Sequence, residues 1–241
     1  MPFRRVRPKG EGTTETMSQT AGKPKATDAA EPQRAARQTS RGKQRSEGML
    51  RTAADLFLEK GYDQTSVDEV IQRAGGSKTH VYREFGGKEG LFLAAVKHLC
   101  AEVQQPIQTL DVSGLPFEAG LLQLSQALVR MLLAGRHLAL QRLVFAEAPR
   151  FQKTGEIWFA GGPEVTHGIF SRFFAQWMER GLLRREEPDL IARLYCDMLS
   201  GHILDRAWLG IGEKPSPAVA QRTIDAAIDL FLDGFLTKRR A

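Results

Sequence analysis

Two cysteines in 241 residues, Cys100 and Cys196, are too few for a disulfide framework. Each sits in an apolar helical pattern, which reads as buried thiol. No apolar run approaches the roughly 20 residues that a membrane-spanning helix needs. The basic N-terminus leads into no apolar segment, so it lacks the form of a secretory signal, and a cytoplasmic protein without a membrane partner is expected. No segment keeps the period-two alternation of a strand, so sheets are not expected. Glycine fingerprints for dinucleotides or phosphates are missing, as are a nucleophile–base set and paired carboxylates. No cofactor is expected, and a small helical enzyme is the remote reading. His98 with Cys100, and Cys196 with His202, lack the i, i+3 or i, i+4 spacing that aims two ligands from one helix at an ion, so no metal is expected either.

Large apolar side chains are nearly absent from residues 1–42, which are rich in Gly, Pro, Thr, Lys and Arg. Such a segment cannot bury enough surface to offset its ordering entropy and is expected to be a disordered basic tail. It also holds the charge. Residues 1–45 carry a net +7, whereas the remainder carries a net −1, against +6 for the whole chain. The tail is then either a solvated leader or an arm that adds phosphate contacts and releases counterions. Arg41, Lys43 and Arg45 lie next to the first helix and are best placed to reach a DNA backbone.

What is present is helix. Leu50, Ala53, Ala54 and Phe57 are spaced i, i+3, i+4, i+7, one face of a helix beginning near Gln44, and Gly61 reads as its stop. Ser66 with Glu69 has the spacing of a capping box, and Val67, Val70, Ile71 and Ala74 follow on one face. Gly75-Gly76 makes a tight turn, Ser77 caps a third helix carrying Val81 and Phe85 inward, and a fourth starts near Lys88. Further helices are expected at about 117–134, 136–147, 153–160, 163–180, 188–209 and 217–237, with Pro163, Pro188 and Pro217 in first-turn positions. The fold class is all-α.

Three short helices within 44–85, the last two joined by Ala74-Gly75-Gly76-Ser77, have the layout of a helix-turn-helix, whose second helix lies in the major groove. The outward residues of that helix are Lys78, Thr79, His80, Tyr82 and Arg83, all able to hydrogen-bond to bases or phosphates. Spacing alone leaves open a plain surface of a small helical bundle.

Residues 47–97 contain A-x-x-L-F-x-x-x-G-Y, T-S-V-D-x-V, A-G-x-S-K-x-x-x-Y-x-x-F and K-E-x-L-F, in that order. This quarter of the chain resembles the DNA-binding domain of the TetR family of bacterial regulators. The resemblance implies that 77–85 is the recognition helix. It further implies base contacts from Thr79 and His80, phosphate contacts from Tyr82 and Lys88, and an anion at Thr65, Ser66 and the start of the second helix. Gly76 departs from the family, which favours an aliphatic residue there, and so does Gly86-Gly87, where a polar or proline pair is commoner. The stretch 140–162, LQRLVFAEAPRFQKTGEIWFAGG, is similar to the AefR-like group within that family.

The expected organisation is a tail at 1–42, a helix-turn-helix domain at 43–103, and an effector-binding and dimerisation bundle at 104–241. Candidate pocket residues are Phe145, Trp158, Phe159, Phe170, Phe174, Trp177, Tyr195 and Met198, with Arg142, His167 and His202 as polar groups on apolar faces. Taken singly, each aromatic reads first as core and each polar group as a surface or satisfied residue; as a group they suit an apolar cavity. Two stripes, through Ile191, Leu194, Tyr195, Met198, Leu199, His202 and Ile203 and through Ile224, Ile228, Phe231, Leu232 and Phe235, suit a dimer contact or packing within one chain. The expected partners are double-stranded DNA with a near-palindromic operator, a second copy of the chain, and a small apolar effector whose entry releases the DNA. A DNA-binding regulator without a ligand is the alternative.

Overall fold

The computed structural model describes the backbone of residues 30–211 and 215–237, and the side chains of that span apart from 30–41, 202 and 203. Contacts group the chain into two units, Met1–Gly42 and Lys43–Ala241. Among the described residues there are ten helices: α1 (Ala30–Gln64), α2 (Val67–Ala74), α3 (Lys78–Phe85), α4 (Lys88–Gln108) and α5 (Phe117–Leu133), then α6 (Gly135–Glu147), α7 (Gln152–Gly161), α8 (Pro163–Glu179), α9 (Pro188–Leu209) and α10 (Pro217–Phe235). They contain no strand, only an isolated bridge between Leu183 and Leu236.

The boundaries of α5 to α10 lie within two residues of those expected from apolar spacing and first-turn prolines. The start of α1 does not. The helix begins at Ala30, because Ala, Gln and Arg favour helix without needing an apolar face to reveal it. Gly61 does break the helical backbone, at φ 80° and ψ 179°, but one more turn follows to Gln64.

Two buried clusters organise the unit that starts at Lys43. The first gathers Met49, Ala53, Phe57, Val70, Val81, Phe92 and Leu99 from α1 to α4, and α6 completes it with Leu140, Leu143 and Val144. The second joins α5, α8, α9 and α10 through Phe117, Leu121, Leu128, Phe170, Phe174, Tyr195 and Phe231. Aromatic rings interlock at its centre: Phe174 stacks on Phe231 at 4.7 Å, and Tyr195 meets both edge-on. The Tyr195 hydroxyl shares a 2.7 Å hydrogen bond with Ser125, so the ring's polar end is satisfied inside the core. Helix α6 therefore lies between the two cores, one face committed to the first.

Candidate nucleic-acid interface and ligand cavity

The short helices α2 and α3 cannot persist on propensity alone, and their ends are held by side chains. The hydroxyl of Ser66 accepts from the Glu69 amide at 3.1 Å, and that of Ser77 from the His80 amide at 3.2 Å. The reciprocal half of the expected capping box is not made. Glu69 instead accepts from Lys60 at 2.6 Å and Arg73 at 2.9 Å, and the Lys60 hydrogen bond holds its carboxyl below the usual range. Gly76 adopts φ +118°, and a Cβ there would come within 2.6 Å of the Met49 side chain, so the departure from the family pattern suits the local backbone. At the other end of α3, a Cβ on Gly90 would lie 1.7 Å from the Phe85 carbonyl oxygen. Only glycine lets α4 pack this tightly under the end of α3.

With Val81 buried, α3 turns Lys78, Thr79, Tyr82 and Arg83 to solvent. Lys78 pairs with Asp68 at 2.9 Å, which raises its pKa. His80 is half-buried: its Nε2 lies 3.2 Å from the Ser46 hydroxyl on α1, and its Nδ1 lies 3.2 Å from a guanidinium nitrogen of Arg83. Arg45, Ser77, Thr79, His80 and Arg83 surround one concavity beside the α2–α3 turn. Ser66 is exposed at the head of α2. Thr65 requires a correction. It is buried, and its hydroxyl donates to the carbonyls of Gly61 at 2.8 Å and Leu56 at 3.2 Å, closing the α1–α2 turn instead of facing a phosphate. Lys88 is half-buried, donates to the Asp63 carbonyl at 3.2 Å and lies 4.4 Å over the Tyr62 ring.

A second concavity, of about 260 Å³, opens where α4 to α9 converge. Of the expected pocket residues, Trp158, Phe159 and His167 line it. The others, His202 aside, do not, for identifiable reasons. Phe170, Phe174 and Tyr195 are locked in the aromatic core. Trp177 packs on Phe117 and Phe173, with Arg180 over its ring. Phe145 is exposed between Trp158 and Trp208. Arg142 is exposed and donates to the carbonyls of Ala207 and Trp208, where a cation complements the C-terminal end of α9. Met198 lines a separate surface groove with Val219, Ala226 and Leu230. The side chain of His202 lies outside the described residues.

Periodicity did not single out the polar wall of this cavity, because its members occupy otherwise apolar stripes. Gln104 of α4 donates to the Gly162 carbonyl at 3.0 Å and to the Thr166 hydroxyl at 3.1 Å, and that pair is self-contained. His137 and Gln141, one turn apart on α6, are both buried and both line the cavity, and neither ring nitrogen of His137 nor Gln141 Oε1 has a hydrogen-bond partner. Burial pushes the His137 pKa down to about 4, so the ring is neutral at physiological pH. His167 is shifted down as well, first by desolvation. An unusual pattern, two polar residues at i and i+4 inside an apolar helix, was the signal available in the sequence.

The geometry is that of a helix-turn-helix protein with a helical second domain. The family model for the N-terminal domain of bacterial regulatory proteins of the tetR family matches residues 49–95, and the model for the C-terminal domain of AefR-like transcriptional repressors matches 119–235. A solved structure from Mesorhizobium loti MAFF303099, assigned to the TetR family of transcriptional regulators, is 30% identical, covers 82% of this chain and 99% of its own, and superposes with a TM-score of 0.76. The chain belongs to the TetR family and is a DNA-binding transcriptional regulator. The Flavonoid-responsive Regulator FrrA shares the fold at a TM-score of 0.70 and 23% identity, over 81% of this chain and 98% of its own. The Bacillus subtilis (strain 168) regulator YxaF is 39% identical over 83 residues, 34% of this chain. The chain spans 43% of the length of YxaF in that match. None of the helices among the described residues is long and apolar enough to cross a membrane.

Proposed function

We propose that this regulator is a homodimeric repressor that holds a near-palindromic operator through α3 and leaves it when a small effector enters the cavity. The observation that carries the reading is the position of α6. Its Leu140, Leu143 and Val144 belong to the core of the DNA-binding helices, while His137 and Gln141 face the cavity. A molecule seated there touches a helix that shares the buried core of α1 to α4, and α4 in turn packs against α3. Arg136 strengthens the link, donating to Asp55 of α1 at 2.8 Å and to Glu102 of α4 at 3.0 Å. Coupling of about 1–3 kcal/mol between the two sites must be reciprocal, so DNA weakens effector binding by the same factor.

Repression is the sense supported by the matched C-terminal model, which describes a repressor. Effector control is supported by the fold neighbour whose name states that it responds to flavonoids. A dimer is supported by the outward faces of α9 and α10. Leu190, Leu194 and Met198 recur every four residues and are exposed, and Val219 and Leu230 are exposed across the groove from Met198. The inward stripes, including Ile224, Ile228, Phe231 and Leu232, are buried within one chain, which corrects their expected place in an interface.

The test is selection from a random duplex pool by the purified protein at fixed moderate salt, followed by sequencing. A near-palindrome among the retained duplexes supports a dimeric reader with two half-sites about one helical turn or a multiple apart. Retention without a motif, abolished by salt, overturns sequence-specific reading by α3.

A further inference from the structure

His137 and Gln141 hold three polar atoms without partners at residues more than nine-tenths buried, in a cavity lined by apolar Leu128, Met131, Leu132 and Leu204 as well as by polar His167 and Ser200. An unpaired buried polar atom is costly, and such atoms gather where a ligand supplies the missing partner. A neutral imidazole presents one donor and one acceptor, and the Gln141 carbonyl presents a second acceptor. A hydroxyl both donates and accepts, so it can pair two of the three, accepting from the His137 N–H and donating to the Gln141 carbonyl.

No Lys or Arg is among the described lining residues, and the one charged side chain there is Asp197, exposed at the rim. An anion would therefore enter a site with no countercharge and an acidic neighbour. A volume of about 260 Å³ lies just below the usual range for drug-sized ligands, which suits a molecule of two fused rings. We infer that the cavity takes an uncharged, mainly apolar ring compound bearing a hydroxyl, with the hydroxyl held between His137 and Gln141. The Gln104–Thr166 pair, satisfied by itself, contributes shape and not a hydrogen bond to that group.

The inference rests on the effector reading, and calorimetry without DNA separates the two. Three probes of matched size are naphthalene, 2-naphthol and 2-naphthoate. The expected result is one 2-naphthol per chain, bound about tenfold more tightly than either of the others, a ratio of the size one good hydrogen bond supplies. Gln141→Leu and His137→Phe should each erase most of that preference while leaving naphthalene binding intact. Each should also raise the thermal midpoint by a few degrees, roughly, because an unpaired buried polar group is removed. The second variant guards against misfolding of the first. Equal binding of naphthalene and 2-naphthol, tighter binding of 2-naphthoate, or no binding by any probe overturns the inference. If naphthalene and 2-naphthol bind equally and both release operator DNA, the effector reading stands without it. If 2-naphthol binds with the expected preference and DNA stays bound, the inference stands and effector release fails.

Discussion

Ser46 of α1 and His80 of α3 share a hydrogen bond of 3.2 Å across the helix-turn-helix, and the other nitrogen of the same ring faces Arg83. His80 thus joins the recognition helix to its support and holds the guanidinium beside it. With both ring nitrogens engaged, His80 is expected to influence base preference by orienting Arg83. His80→Ala and Arg83→Ala are expected to change preference at the same base pair in a selected operator, with losses that do not add. Effects at separate positions, or additive losses, would contradict the coupling.

Tyr82 is exposed on the same helix, without charge, and Arg45 is exposed beside the α2–α3 turn. Tyr82→Ala should weaken binding to all duplexes alike and leave its salt dependence unchanged. Arg45→Ala should reduce the slope of log K against log salt by about 0.9, the share of one neutralised phosphate. Titrations at several salt concentrations check both, and an unchanged slope for Arg45→Ala removes it from the phosphate contacts.

Gly90 is the tightest steric constraint under α3. A methyl group at this position meets the Phe85 carbonyl at 1.7 Å, which is backbone and cannot swing aside. Gly90→Ala should cost about 1–3 kcal/mol as overpacking and weaken operator binding through displacement of α3. A thermal midpoint and operator affinity equal to those of the unmodified protein would show that α4 tolerates the shift.

Acid should destabilise the fold through His137. Its pKa is lowered from 6.5 to about 4 by burial, so between those values the unfolded chain binds a proton that the folded chain refuses. The contribution is fully present above pH 6.5, is lost as pH falls toward 4, and then levels off. It amounts to about 3 kcal/mol at most. Unfolding midpoints at pH 7.5 and pH 5 should differ less in His137→Phe than in the unmodified chain, and an identical difference would rule out this group as the source.

Leu194 is exposed on the outward face of α9 between Leu190 and Met198. Leu194→Arg should yield a monomer in sedimentation and weaken operator binding, since two half-sites are then no longer read by one particle. A dimer that survives the change moves the interface elsewhere.

Much of this protein follows from local chemistry, and that part is legible without coordinates. Helix limits from α5 to α10 come from first-turn prolines and apolar spacing, and the turn into α3 comes from two glycines followed by a capping serine, so each signal acts within a few residues. The exposed face of α3 follows from burying Val81. Which side chains meet across distant helices was decided only by tertiary packing. The aromatic residues of α8 and α9 read singly as core and together as a pocket wall, and interlocking with Phe231 made them core. Thr65 carries a phosphate-binding type of side chain, yet the kink at Gly61 turns its hydroxyl inward onto the carbonyls of Gly61 and Leu56. The cavity wall unites Gln104, His137, Gln141 and Thr166 from three helices. No local period brings those residues together, because their meeting depends on how α4, α6 and α8 stack; the i, i+4 pair His137 and Gln141 marks only the share of α6.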